Sequence, residues 1–112
     1  MNISEFIIIT ILTIFLIVYF SNLHENIHVK ICEYFNVRAE KVIDILRFEF
    51  YTKINQYDLK ELSENERIAL MQMHSINEIS QIFIPFFVIV IILLVIILME
   101  IIEMNRNDKK RL

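Results

Sequence analysis

The sequence predicts a mainly α-helical membrane protein, with two transmembrane helices forming an antiparallel hairpin and a small α+β domain between them. Three observations carry this. Phe6 to Phe20 is a run of Phe, Ile, Leu, Val and Tyr interrupted only by Thr10 and Thr13. Ile82 to Met99 carries no charge and is broken only by Pro85. Between the two runs the composition turns to that of a soluble segment, with acidic and basic residues throughout and neither Pro nor Gly. The chain has 112 residues, 56% of them hydrophobic, and a chain this short cannot bury two such runs in a core of its own. Both therefore read as membrane spans.

Taken in order, residues 3–23 form the first transmembrane helix, about 30 Å long at roughly 1.5 Å per residue. It has no basic residue ahead of it and no small-residue cleavage site behind it, so an uncleaved anchor is expected. Residues 24–81 form the extramembrane domain. Nothing from Ser21 to Phe35 breaks a helix, and Leu23, Ile27 and Ile31 recur at helical spacing. The first helix is thus expected to continue past the membrane surface, with Asn36 as its terminator.

Val37 to Leu46 fits no single period. Arg47 to Ile54 alternates, with Phe48, Phe50, Thr52 and Ile54 facing one way, and predicts a half-buried strand paired with Lys41 to Ile45. Asn55 to Leu59 reads as a connection. Ser63-Glu64-Asn65-Glu66 is a capping box that starts a second helix, in which Ser63 accepts from the Glu66 backbone and Glu66 reaches back. Its apolar side is Ile68, Leu70, Met71, Met73, Ile76 and Ile79. The second transmembrane helix covers 82–103, where Pro85 either kinks a continuous helix or opens a new one. Residues 104–112 are a basic tail.

Arg106, Lys109, Lys110 and Arg111 place that tail in the cytoplasm by the positive-inside rule, and two spans then put residues 24–81 outside the cell membrane. The bilayer is the first expected partner. A single cysteine, Cys32, excludes an internal disulfide. The absence of glycine excludes phosphate loops and dinucleotide fingerprints. A net charge of -3 without a basic soluble patch argues against nucleic acid. The oligomeric state is not readable from the pattern.

All three histidines fall in two short clusters. His24-Glu25-Asn26-Ile27-His28 is an HExxH sequence, which on a helix sets two imidazoles one turn apart on one face, with a carboxylate beside them. The second cluster is His74-Ser75-Ile76-Asn77-Glu78. His24 follows Phe20 by four residues and Glu78 precedes Ile82 by four. In an antiparallel hairpin these residues stand at one height, and His74 and Glu78, also one turn apart, can both face the first helix. His24, His28, His74 and Glu78 can then converge, and an HExxH pair completed by a Glu from a second helix suits a Zn²⁺ site with an open position. His74 is read as a spare imidazole that hydrogen-bonds an oxyanion, orients a ligand, or is an ordinary surface histidine. Cys32, four residues after His28, suits an apolar helix position better than a further ligand.

The pair HENIH and INEIS resembles the gluzincin-type zinc metallopeptidases. In that family a second helix with an Asn-Glu pair follows the HExxH helix. The resemblance covers these motifs alone. It implies His24 and His28 as zinc ligands, Glu78 as the third, Glu25 as general base and Asn77 as the family's Asn. Ser80 lies near a Ser of that helix. The implied substrate is a peptide or protein. The competing expectation is a non-enzymatic small membrane protein (holin-like, an assembly factor or a regulatory subunit) carrying a relic zinc site.

Overall fold

The computed structural model describes residues 1–111. Its elements are α1 (Ile3–Tyr34), β1 (Ala39–Asp44), β2 (Glu49–Ile54), α2 (Gln56–Glu61) and α3 (Glu64–Arg111). The protein is elongated, 73 × 26 × 16 Å.

α1 starts at a capping box. The Asn2 side chain accepts from the Glu5 backbone N–H at 2.8 Å, and Glu5 accepts from the Asn2 N–H at 3.0 Å. The helix then runs unbroken through Ser21 to Leu23, as expected from the lack of any breaker. It ends where Asn36 takes φ 57, a left-handed conformation that Asn tolerates better than most residues. The Val37 N–H reaches back to the Cys32 carbonyl at 2.9 Å, satisfying one of the last-turn acceptors.

β1 and β2 pair antiparallel, from Ala39 opposite Ile54 to Asp44 opposite Glu49. Phe50, Thr52 and Ile54 are half-buried while Glu49, Tyr51 and Lys53 are exposed, which is the predicted alternation. The strand is shorter than predicted, because Arg47 and Phe48 belong to the turn. Asp44 accepts from the Arg47 N–H, and Phe48 is forced to φ 53 in a connection that has no glycine to take that angle. The segment Asn55 to Leu59, expected as a connection, instead enters α2. Asn55 is the N-cap, accepting from the Asp58 N–H at 3.0 Å.

Ser63 caps α3, accepting from the Glu66 N–H at 3.2 Å. The return bond differs from the expected one, since Glu66 accepts from the Ser63 hydroxyl rather than from its backbone. α3 is one continuous helix through Pro85 and on through the basic residues to Arg111.

A small core forms where the end of α1 meets the start of α3. Ile31, Cys32, Val37 and Leu70 are buried there, flanked by Phe35, Ala39, Ile54, Leu59 and Leu62. Cys32 is fully buried among them, an apolar position as the sequence suggested. Truncating a residue such as Leu70 to Ala would cost about 2–5 kcal/mol. Beyond this core, Val88 is the one other buried apolar residue among those described, and most of the remaining apolar surface is exposed or half-buried. The apolar windows of α1 and α3 are 0% and 6% buried, and both helices are long and apolar enough to cross a membrane. Phe20 of α1 stacks on Phe87 of α3, with ring centroids 6.5 Å apart.

Candidate metal centre

The site stands between this core and the apolar segments. His24 and His28, one turn apart on α1, are buried, and both turn toward α3. Glu78 of α3 meets them. Its Oε1 lies 3.4 Å from His24 Nε2 and 2.6 Å from His28 Nε2, and the two Nε2 atoms are 3.1 Å apart. Two imidazole nitrogens and a carboxylate oxygen thus converge. Ligands at about 2.0–2.1 Å in a tetrahedral shell stand about 3.3 Å from one another. The His24–His28 and His24–Glu78 separations already have that value, and the shorter His28–Glu78 contact is a hydrogen bond. His24, His28 and Glu78 form a group that can hold a metal ion.

The helix contact that brings them together is specific. Asn77 is buried, and its side-chain N–H donates to the His24 carbonyl at 3.1 Å. That bond fixes α3 against the HExxH turn and orients the neighbouring Glu78. Ser80 donates to the Asn77 carbonyl at 2.5 Å and so stays within its own helix.

His74 lies one turn before Glu78 and faces the opposite side of His28. The two Nδ1 atoms are 2.6 Å apart, and His74 Nε2 is 3.6 Å from Cys32 Sγ. Burial pushes the His74 pKa down, the nearby His28 adds to this, and Glu78 opposes it. A neutral His74 can accept from His28 Nδ1–H while directing its own Nε2–H at the sulfur. The contacts thus join His74 to the His28 ring and to the Cys32 sulfur. Burial also pushes the Cys32 thiol up, away from the thiolate a metal would need.

Glu25 is buried on the neighbouring stripe of α1. It shares one open groove with His28, His74 and Glu78, lined also by Phe50, Thr52, Ile54 and Gln81. The Thr52 hydroxyl donates to Glu25 Oε2 at 2.5 Å. Sequence reasoning placed Thr52 on the inner face of the strand but gave it no role. Its signal was visible, as the one hydrogen-bonding side chain between Phe50 and Ile54 on that face. Lys41 was missed too. Its ammonium bridges the Asn22 and Asn26 side chains, at 2.6 and 2.8 Å, and ties β1 to the HExxH turn. One buried atom, His24 Nδ1, has no hydrogen-bond partner among the described residues.

The arrangement brings two imidazole nitrogens and a carboxylate oxygen together, and His28 and Glu78 share an open groove with Glu25. No protein family, curated protein or solved structure matches the chain.

Proposed function

We propose that this chain is a membrane-anchored zinc peptidase, with α1 and α3 crossing the bilayer as an antiparallel hairpin. The observation that carries the reading is the convergence of His24, His28 and Glu78, two of which, His28 and Glu78, line the groove that Glu25 also lines. Two imidazoles and one carboxylate are a donor set that suits zinc. Zinc bound there supplies a Lewis acid and a water of lowered pKa.

The chain's own residues do the rest. Glu25 accepts a proton from the attacking water and returns it to the leaving amine. His74 holds the His28 ring. Gln81, next to the first residue of the second apolar run, is among the residues lining the groove. The substrate is therefore a peptide segment lying within about a helical turn of the bilayer. β2 has one unpaired edge in its two-stranded sheet, against which an extended peptide can lie.

Glu25→Gln tests this reading. It removes the base and no ligand, so bound zinc should stay at the wild-type level while hydrolysis of a membrane-tethered peptide reporter falls about 10²-fold or more. Wild-type protein that binds zinc but cleaves nothing, alongside an identical Glu25→Gln variant, would leave the non-enzymatic membrane protein with a relic site as the reading.

A further inference from the structure

We propose that Thr52 is the positioning residue for Glu25, so that the β-hairpin exists to hold the general base. This rests on the peptidase reading above. Glu25 follows His24 directly, so its side chain leaves α1 about 100° around the helix from the ligand stripe. Nothing on α1 holds its carboxylate. The hydrogen bond it receives comes from across 27 positions of sequence, from the Thr52 hydroxyl to Oε2, and the same hydroxyl lies 3.3 Å from the Glu25 backbone carbonyl.

The tether binds one carboxylate oxygen only. Among the described residues Oε1 takes no hydrogen bond, while Glu25 as a whole lines the groove. One oxygen is anchored and the other is left to take a proton. The donor is suited to the task. A β-branched side chain has a restricted χ1, so its hydroxyl is placed by the strand rather than by chance. The strand is placed in turn by Phe50 and Ile54 on the same face, by pairing to β1, and by Lys41 of β1 on Asn22 and Asn26 of α1. A glutamate with three free torsions would otherwise sample many orientations, and a misplaced base loses rate without losing substrate.

Thr52→Val removes the hydroxyl and keeps the branch, while Thr52→Ser keeps the hydroxyl. In Thr52→Val, kcat should fall about tenfold or more with KM and bound zinc unchanged. Thr52→Ser should return kcat to within about threefold of wild type, a rescue that mere packing would not produce. A second readout needs neither zinc nor turnover. In the metal-free protein, Thr52→Val and Glu25→Gln should each shift Tm, and the double variant should shift it by less than the two together. Wild-type kcat in Thr52→Val overturns the proposal while the peptidase reading stands. Additive Tm shifts, or loss of zinc in step with turnover, also overturn it. Wild-type protein without Glu25-dependent turnover is a failure of the peptidase reading itself and removes the positioning role with it.

Discussion

His28 Nδ1 stands 2.6 Å from His74 Nδ1, on the side of the ring opposite Glu78. A metal-binding imidazole is normally held by a partner on its other nitrogen, and loss of that partner typically costs 10- to 100-fold in metal affinity. His74→Phe should therefore weaken zinc binding by about that factor without abolishing it. Competition with a chromophoric chelator would measure the change. Unaltered affinity would make His74 a bystander.

The three converging residues should behave differently from this partner. His24→Ala, His28→Ala and Glu78→Ala each remove a ligand atom, so each should lose most of an initial content of about one zinc per chain. Cys32→Ser should keep it, because the buried thiol sits 3.6 Å from His74 and outside the converging group. Metal analysis of purified proteins decides the matter, and a full complement in all three ligand variants would dismantle the site.

Asp58 supplies a pH prediction away from the metal centre. Its carboxylate receives the Arg38 side chain at 2.8 and 3.1 Å and the Arg38 backbone N–H at 2.9 Å, and these bonds hold its pKa below the ordinary value. A depressed folded value means stabilisation that is complete above the unfolded pKa, near about 3.9, and is lost as pH falls through the folded one. Asp58→Asn should thus lower Tm at neutral pH, and the gap to wild type should narrow on acidification below about pH 4. A gap independent of pH would assign the loss to geometry instead of charge.

How much of this was legible in the sequence follows from the range of each interaction. The continuation of α1 to Tyr34 was readable, because helix propagation is local and no residue interrupts it. So was the meeting of His24 and His28 with Glu78, which needs only equal offsets from two apolar runs. The start of β2 was not readable. A turn without glycine puts Phe48 at positive φ, and its apolar side chain imitated one more strand position. α2 was missed because six residues are too few to form a helix by propensity. It depends on the Asn55 cap and on Asp58 binding Arg38, twenty positions earlier. The Thr52–Glu25 bond was out of reach for the same reason, since nothing local reports which hydroxyl a strand will carry to which helix.

The head and the basic end should lie on opposite sides of the membrane, with residues 24–81 outside and Arg106, Lys109, Lys110 and Arg111 in the cytoplasm. Two unburied apolar helices motivate this, and the structure supplies sites for its test. Leu46, at the tip of the hairpin turn, is 96% exposed and touches nothing in the core. Asn107 lies in the last exposed turns of α3. Single-cysteine variants Leu46→Cys and Asn107→Cys in a Cys32→Ala background, treated with a membrane-impermeant thiol reagent, should label at 46 and not at 107 in intact cells. Lysis should then expose 107. The reverse pattern would turn the groove toward the cytoplasm. The candidate metal site would be unaffected, since His24, His28 and Glu78 lie on α1 and α3 alone, but under the proposed peptidase reading the substrates would become the cytoplasmic ends of membrane spans.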